Sequence, residues 1–546
     1  MGEHRASFVL AWAFALCVGL AACGGGGGGS APAQPPAGTS PPPPPPPPAT
    51  GANPTWTANV FAASSTYQDR CQTVRTGRDI EGNAFPDQAG STLIENFWLR
   101  SWTNETYLWN TEVTDRDPGG YSSRLDYFAV LKTTARTNSG KDKDQFHFSQ
   151  TTEEYLRQRN SAPSPGYGAY YTALSNSVPR DYRIQYTEPN SPASQLVRGS
   201  KILSVDGADL VNATSQSAIN TLNAGLFPSA VGQSHVFVVQ EPSGTQRTVT
   251  LVSANVSEKP VNRTQVLSTP SGPVGYVFLT TFSPFSSERE IAETITQMKG
   301  AGVRDLVLDL RYNGGGLLAV ASQLSYAIAG AARTGGRTFE RLEFNAAAGS
   351  RNPVTGEANT PQPFQSTGLG FSLTNGTRLD TLDLGRVYIL STADTCSASE
   401  SVINALRGID VDVVLIGGAT CGKPYGFYPT DNCGQTYYSI QFRGVNNKGF
   451  GDYADGFIAQ NSGAAFGVRI PGCDVPDDLL RELGNASEGL LAAALQYRET
   501  GTCPALVRTQ AAPLAIGAEA AGVRTSRFSP ATALMRSSRD MRMPRR

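Results

Sequence analysis

The spacing of hydrophobic and polar positions changes along the chain and marks three folded stretches. In residues 92–107, apolar side chains such as Phe97, Trp98 and Trp102 recur at helical spacing, which predicts an amphipathic helix whose aromatic face lies in a core. We therefore expect a small N-terminal helical domain over residues 56–160.

The second stretch consists of short β-prone runs separated by turn residues. It covers residues 161–257 and predicts a β-rich domain. The expected strands span residues 182–186, 201–205, 235–239 and 246–252.

The third stretch, residues 258–503, alternates strand and helix patterns. The expected strands span residues 274–278, 303–310, 386–390 and 411–417, and the expected helices span residues 317–328 and 398–407 together with one opened by a capping box at residues 287–290. This alternation predicts an α/β layer with a mostly parallel sheet, in which functional residues gather at the carboxyl ends of the strands.

The first residues have the pattern of an export signal. A mostly apolar run follows Arg5 and leads to Leu-Ala-Ala-Cys, ending at Cys23, which predicts a signal peptide over residues 1–22. The end of this run resembles a bacterial lipobox, and the resemblance implies a lipid anchor on Cys23. Secretion with an unmodified Cys23 is the alternative.

Residues 23–55 include a run of six glycines and a run of eight prolines, a composition that predicts a disordered or extended tether. We expect the folded body in the bacterial cell envelope, held by its lipid. Resemblance to sorted lipoproteins, which here rests on Gly24, favours the outer membrane.

Composition and charge exclude two classes of protein. Hydrophobic residues make up 39% of the 546 residues and charged residues 17%, which excludes a wholly disordered chain. The net charge is −1, but residues 505–546 hold eight Arg against Glu519 and Asp540, so the body is mildly acidic. Such a body offers no electrostatic footprint for nucleic acid. We expect residues 504–546 to form a disordered basic tail.

The cysteines indicate disulfides rather than a metal site. Apart from Cys17 and Cys23 there are six, which in an oxidising compartment allow three disulfides and leave fifteen pairings open: Cys71, Cys396, Cys421, Cys433, Cys473 and Cys503. Their spacing is not that of zinc ligands. We expect no metal and no other cofactor.

Three motifs follow predicted strands of the α/β stretch. They read Asp-Leu-Arg-Tyr-Asn-Gly-Gly-Gly at residues 309–316, Cys-Ser-Ala-Ser-Glu at 396–400 and Cys-Gly-Lys-Pro at 421–424. Their order and spacing resemble those of the carboxy-terminal processing (tail-specific) serine proteases, a PDZ-containing family. The resemblance extends over about residues 93–495.

This resemblance implies a crotonase/ClpP-like protease core and names its site. The nucleophile would be Ser397 and the general base Lys423. The oxyanion hole would combine the N–H of Ala398 with one from Gly314 or Gly315.

Other residues receive weaker assignments from the same resemblance. Asp309 and Arg311 would brace the glycine turn, and Glu400 would orient the helix or pair with a base. The chain departs from the family at Phe427, where many members carry a Gln that orients the lysine, so the resemblance implies a Ser–Lys dyad without the third member of a Ser–Lys–Gln triad.

Elementary chemistry supports the same pair. A serine hydroxyl needs a base within hydrogen-bond reach, and neither His147, before the β-rich domain, nor His235, within one of its strands, is well placed. Lys423 can act as that base only if desolvation lowers its pKa from ~10.4 to about 7. The apolar residues that follow it could supply this desolvation, although a salt bridge for Lys423 and helix capping for Ser397 are the structural alternatives.

Within the β-rich stretch, residues 190–207 resemble the helix, turn and strand of a PDZ domain. The resemblance implies that the loop formed by Gly166, Tyr167, Gly168 and Ala169 holds a peptide's terminal carboxylate while the peptide adds as a strand. Without that context the loop is merely a turn.

Together these patterns predict an exported serine endopeptidase that hydrolyses polypeptides through an acyl-enzyme. The rivals are a non-catalytic peptide-binding or scaffold lipoprotein on the same fold and a small-molecule hydrolase. The natural substrate and the oligomeric state stay open.

Overall fold

The computed structural model describes residues 53–160, 162–505, 523–524 and 539–540. The predicted signal peptide, Cys23 and nearly all of the tether lie outside these residues. All described residues belong to one unit, Thr50–Arg546. No helix in this described part combines the length and the apolar character that crossing a bilayer requires.

The N-terminal stretch is mainly helical but contributes a strand to the rest of the molecule. Its elements are β1 (Arg70–Cys71), β2 (Gln88–Ala89), α1 (Thr92–Thr106), α2 (Arg124–Ala129), β3 (Phe148–Thr151) and α3 (Thr152–Arg159), with 3₁₀ helices at Ser64–Thr66, Asn110–Glu112 and Pro118–Gly120. Helix α1 begins where the Ser91 side chain accepts the Ile94 N–H. Strand β3 pairs with Gln435–Tyr438 of the third stretch.

The β-rich stretch forms an antiparallel sheet with one helix against it. Its elements are β4 (Ser164–Gly166), β5 (Ala169–Ser175), β6 (Asp181–Thr187), β7 (Lys201–Val205), β8 (Ala208–Asp209), α4 (Gln216–Leu226), β9 (Ser234–Gln240), β10 (Gln246–Val252) and β11 (Ala254–Val256), with a 3₁₀ helix at Pro192–Gln195. The sheet order is β10-β9-β7-β6-β5. Each of the four predicted strands coincides with one of these strands.

The third stretch contains the strands β12 (Val261–Leu267), β13 (Val274–Leu279), β14 (Asp305–Asp309), β15 (Gly316–Leu317), β16 (Thr338–Glu343), β17 (Gln362–Pro363), β18 (Arg386–Ser391), β19 (Asp412–Gly417), β20 (Tyr425–Gly426), β21 (Thr430–Asn432), β22 (Gln435–Tyr438), β23 (Phe442–Val445), β24 (Phe457–Ala459), β25 (Val468–Ile470) and β26 (Gly472–Cys473). Its helices are α5 (Ser286–Gly300), α6 (Leu318–Ala329), α7 (Ala331–Thr334), α8 (Ala398–Gly408) and α9 (Gly489–Thr500), with a 3₁₀ helix at Ala346–Ala348.

The main sheet of this stretch is mixed rather than wholly parallel. Its order is β12-β13-β14-β18-β19-β26; β12 pairs antiparallel at one edge, and the other pairings are parallel. Helices α5, α6 and α8 share a hydrophobic core with one face, and α9 shares a core with the other. Because both faces are covered, the central strands are continuously apolar.

The capping box predicted at residues 287–290 is wrong, although the helix it was to open is present. Helix α5 begins at Ser286 without a side-chain cap. The Ser287 hydroxyl instead donates to the carbonyls of Phe282 and Pro284. The serine therefore fixes the preceding loop, which periodicity along the helix cannot reveal.

The six cysteines form three disulfides, as predicted, and the structure resolves their pairing. The pairs are Cys71–Cys433, Cys396–Cys421 and Cys473–Cys503. The first joins the N-terminal stretch to the α/β stretch.

Four residues of the C-terminal segment are described, and they contact the body. Val523 and Arg524 lie against the β-rich domain. Strand β27 (Arg539–Asp540) pairs in parallel with β15. The rest of the predicted basic tail, residues 504–546, lies almost entirely outside the described residues, and its disorder stays a prediction.

Candidate active site

Ser397 lies on a sharp turn between strand β18 and helix α8. Its backbone angles, φ 60° and ψ −113°, fall in a region that residues with a side chain avoid, at a cost of about 1–3 kcal/mol. Such a turn places a serine at the head of a helix, where the helix dipole favours negative charge.

The Ser397 side chain is fully buried, yet its hydroxyl forms no hydrogen bond with any described residue. Ser397 and Glu400 occupy the positions of a capping box, in which the Glu400 carboxylate accepts the Ser397 N–H. Leaving a buried hydroxyl unpaired costs about 1–3 kcal/mol. This residue therefore combines backbone strain with an unsatisfied polar group, as functional residues often do.

The buried carboxylate of Glu400 joins the two candidate catalytic loops. Its Oε2 accepts the N–H groups of Ser397 (3.0 Å) and Lys423 (2.8 Å). Its Oε1 accepts the Gly422 N–H (2.9 Å) and the Thr420 hydroxyl (2.5 Å). Burial raises the pKa of Glu400 above its ordinary value, although these hydrogen bonds act in the opposite direction.

The Lys423 amino group lies between two aromatic rings. Its Nζ is 4.4 Å from the ring centroid of Phe146 and 4.6 Å from that of Phe427, and the side chain is fully buried. Burial disfavours the charged amine, whereas the negative faces of the rings attract it, so the rings offset part of the desolvation cost. Phe427 thus presents a ring face to the lysine.

Phe146 is a site residue that the sequence analysis missed. It belongs to the N-terminal stretch and shares a hydrophobic core with Phe427 and Cys421. No local sequence pattern could have indicated this contact, because Phe146 and Phe427 are far apart in the chain. The stretches that carry them come together where β3 pairs with β22.

The structure brings the backbones of Ser397 and Lys423 together. The Cys396–Cys421 disulfide joins the residue before the serine to a residue two positions before the lysine, with a Cα–Cα distance of 5.2 Å. Because the Ser397 hydroxyl has no partner among the described residues, the hydrogen bond of a working Ser–Lys pair is not formed in this conformation.

The glycine turn lies against the serine turn. The Asn313 carbonyl accepts the Cys396 N–H and the Ser399 hydroxyl, each at 3.0 Å. The Gly315 N–H donates to the Asn313 side chain (2.9 Å) and is therefore engaged, which leaves Gly314 as the glycine donor to consider for an oxyanion. Ala398 is the first residue of α8.

A strong positional constraint acts at Gly316, directly after this turn. Its φ is 136°, and a Cβ there would lie 2.3 Å from the Phe282 carbonyl carbon. Only glycine allows this close approach of two backbones.

Buried ion pairs stabilise the residues that begin the glycine turn. The fully buried Arg311 pairs with Asp309 (2.6 Å), Glu488 (2.7 Å) and Asp477 (2.9 Å). Arg198 of the β-rich domain also pairs with Asp477 at 2.9 Å. Such groups tolerate burial because each charge has a partner.

The loop proposed to hold a peptide carboxylate is partly committed to its own domain. The Tyr167 side chain is buried, and its hydroxyl donates to the Gly225 carbonyl (3.0 Å). Gly168 has a φ of 72°, and Gly166 and Ala169 lie at the ends of β4 and β5. The Tyr167 side chain therefore belongs to the domain core, which leaves only backbone groups for a ligand.

Two groups in the described residues bring a pair of cysteines and a carboxylate within 4.8 Å of one another: Cys71 and Cys433 with Glu95, and Cys396 and Cys421 with Glu400. In both groups the cysteines are joined as disulfides. Because a metal binds the thiolate form of cysteine, neither group is a metal site in this state.

Comparison with solved structures shows the fold. A protein of Bacteroides fragilis NCTC 9343, described as a candidate S41 protease, is 24% identical with a TM-score of 0.55, and the similarity covers 74% of this chain and 97% of that one. A photosystem II D1 C-terminal processing protease is 19% identical over 70% of this chain and 94% of its own, with a TM-score of 0.39, too low to carry an argument.

No curated protein matches the chain. The match to a family model covers the stretch that contains the glycine turn, Ser397 and Lys423. These residues, 273–427, match Peptidase family S41.

Proposed function

We propose that the protein is a serine endopeptidase that hydrolyses polypeptides, with Ser397 as nucleophile and Lys423 as general base. One observation carries this proposal: a strained, buried serine with an unpaired hydroxyl begins a helix, and Glu400 binds its backbone together with that of the lysine. The family match and the fold support it.

The reaction follows from these positions. The neutral Lys423 amine takes the Ser397 proton as the hydroxyl oxygen attacks the scissile carbonyl, which requires the two groups to come within about 2.6–3.2 Å. The N–H groups of Ala398 and Gly314 receive the oxyanion, and one such donor contributes about 10²–10³ in rate. The lysine then gives its proton to the leaving amine, and water hydrolyses the acyl-enzyme through the same base.

The proposed catalytic centre is closed to solvent. Ser397, Ala398, Gly314 and Lys423 are all buried, so we propose that it represents a resting state. Substrate entry must open the site and let the lysine amine reach the serine hydroxyl.

The place of action and the mode of recognition are proposed from the sequence. The lipobox-like segment supports a lipid anchor on Cys23 and a location in the bacterial cell envelope, at the outer membrane. The β-rich domain would recognise apolar substrate C-termini through the backbone of residues 166–169, as PDZ domains do.

A fluorophosphonate probe tests the nucleophile. We expect the wild-type protein to become labelled and Ser397→Ala to stay unlabelled, because the probe reacts only with an activated serine. Ser399→Ala is the matched control, and we expect it to keep the label because Ser399 already donates to the Asn313 carbonyl. Casein cleavage that persists unchanged in Lys423→Ala would exclude the lysine as base.

The closed site favours one rival, a non-catalytic peptide-binding scaffold. That rival predicts no labelling of the wild-type protein under conditions in which it is folded. Turnover of esters without cleavage of casein would instead indicate a small-molecule hydrolase.

A further inference from the structure

Among its described residues, the C-terminal segment contacts the body at the β-rich domain and at the strand beside the glycine turn. We propose that this segment is an intramolecular ligand, with residues 523–524 bound to the β-rich domain and residues 539–540 in the substrate path beside the glycine turn. The inference rests on the proposed function for the meaning of that path.

The first contact is with the β-rich domain. Val523 is only 7% exposed and belongs to the hydrophobic core of that domain. Its carbonyl accepts the Tyr182 hydroxyl at 2.6 Å, and the Arg524 N–H donates to the Asn223 side chain at 2.8 Å. Because Tyr182 lies on β6 and Asn223 on α4, the segment binds between the helix and the sheet.

The side chain of Arg524 adds to this contact. Its guanidinium lies 5.3 Å from the Phe227 ring centroid, at the distance of a cation–π interaction. A buried valine, two backbone hydrogen bonds and a cation on an aromatic ring are the contacts of a bound peptide rather than those of a solvated tail.

The second contact is beside the candidate active site. Strand β27 pairs in parallel with β15, with Arg539 opposite Gly316 and Asp540 opposite Leu317. Strand β15 directly follows Gly314 and Gly315, and β27 also lies near β20, which begins two residues after Lys423.

An extended peptide that adds a strand at this position uses the backbone for affinity, which is a general way of binding polypeptides of varied sequence. Residues 539–540 thus lie where the backbone of a polypeptide substrate would pair. We infer that substrates add in parallel to β15 and must first displace β27.

Charge and connectivity both favour the bound state. Residues 505–546 hold eight Arg against Glu519 and Asp540, whereas the chain as a whole has a net charge of −1, so the segment is basic, the body is acidic, and opposite charge favours their association. A ligand attached to its own receptor has an effective concentration in the millimolar range. Even a weak contact is then mostly occupied.

Two variants of the full-length protein test the two contacts separately. Val523→Asp places a charge in the β-rich core. Arg539→Pro combined with Asp540→Pro removes both N–H groups of β27, so that strand pairing is lost. For each we expect the KM for casein to fall by about tenfold, because the substrate no longer competes with a tethered segment.

The matched control is Val231→Asp in the same domain, since Val231 is 51% exposed. We expect its KM to equal that of the wild type. Equal KM values in all four proteins would overturn the inference.

A binding measurement separates this inference from the proposed function. A fluorescent peptide with the sequence of residues 521–546 is titrated into each protein in the Ser397→Ala background, and its anisotropy is recorded. We expect the peptide to bind the Val523→Asp protein at least about tenfold more tightly than the unsubstituted one, whose sites are occupied.

That outcome without casein cleavage would retain the intramolecular ligand and reject the protease. Equal affinity for both proteins, with casein cleaved normally, would reject the ligand and retain the protease. A scrambled peptide controls for attraction by net charge alone.

Discussion

The carboxylate of Glu400 holds the site together at the scale of single residues. It accepts the backbone N–H groups of Ser397, Gly422 and Lys423. Its side chain is fully buried, so none of these donors has water as a replacement. The relative position of nucleophile and base therefore depends on one side chain that touches neither reacting atom.

We predict that Glu400→Gln lowers kcat by at least about tenfold and destabilises the fold by about 2 kcal/mol. The amide keeps the size of the side chain but presents a donor to groups that need an acceptor. Michaelis curves and urea unfolding check both effects. If Glu400 positions the catalytic pair, kcat falls more than KM changes, whereas a purely structural role leaves kcat of the folded fraction unaltered.

Glu293→Gln is the control for this variant. Glu293 lies on α5 with its side chain 66% exposed, so we expect neither kcat nor the unfolding midpoint to move. A shift of the same size in both variants would contradict the role given to Glu400.

Residue-scale chemistry was only partly predictable. The motifs, through the family resemblance, indicated Ser397 and Lys423, whose loops the structure joins by a disulfide; their catalytic roles stay a prediction. They gave no indication of Phe146, because its contact with Lys423 depends on the pairing of the distant strands β3 and β22. The engagement of Gly315 by Asn313 was equally invisible, because hydrogen-bond direction in a turn depends on backbone angles.

At the scale of elements, two disulfides close loops of similar length but lie in different surroundings. Cys396 and Cys421 are 25 residues apart, and each lies shortly before one member of the candidate dyad. Cys473 and Cys503 are 30 residues apart and join β26 to the segment after α9. Loop-closure entropy predicts about 3–4 kcal/mol for either one.

We predict that replacing Cys396 and Cys421 together by Ser destabilises the protein about as much as replacing Cys473 and Cys503, but that only the first change lowers kcat, by about tenfold or more. The first disulfide fixes the serine turn against the lysine loop. Unfolding midpoints and casein kinetics of both double variants check this. Equal kcat values in the two would show that the disulfide near the serine only stabilises.

The elements themselves were largely predictable, because the central strands are continuously apolar and the helices strongly periodic. The strand predicted at 274–278 is β13, and the helix predicted at 398–407 is α8. The cap of α5 was not predictable, because Ser287 bonds to the loop before it. The antiparallel edge strand β12 lacked any signal of its direction.

At the scale of the whole molecule, stability depends on an imidazole kept neutral. The His147 side chain is buried, stacks on Phe128 and forms a hydrogen bond with the Phe128 carbonyl through Nε2 at 2.9 Å. Burial lowers its pKa from 6.5 to about 4, although the nearby Asp144 carboxylate opposes this effect. The unfolded chain therefore binds a proton that the folded one does not between these pH values.

We predict that this histidine destabilises the fold by about 2 kcal/mol more at pH 4.5 than at pH 7. The sign follows from the lowered pKa of His147. Above the pKa of the unfolded chain, 6.5, both states hold a neutral imidazole and the fold keeps its full stability. As the pH falls from 6.5 towards 4, the unfolded chain binds a proton that the folded chain does not, and stability is lost. His147→Gln, which can still donate to the Phe128 carbonyl, removes this contribution. Urea midpoints of both proteins at the two pH values check it, and an equal loss in both would contradict the assignment.

Two long-range connections join the N-terminal stretch to the α/β stretch. Strand β3 pairs with β22, and Cys71 is joined to Cys433. Neither was predictable, because partners more than two hundred residues apart leave no periodicity in the sequence.

The position of the Phe146 ring beside Lys423 has a consequence for biosynthesis. Phe146 leaves the ribosome long before Lys423, and β22, whose pairing with β3 holds the ring in place, emerges later still. No shorter nascent chain can assemble the proposed hydrolytic centre. The proposed hydrolytic activity would therefore begin only after synthesis has passed β22.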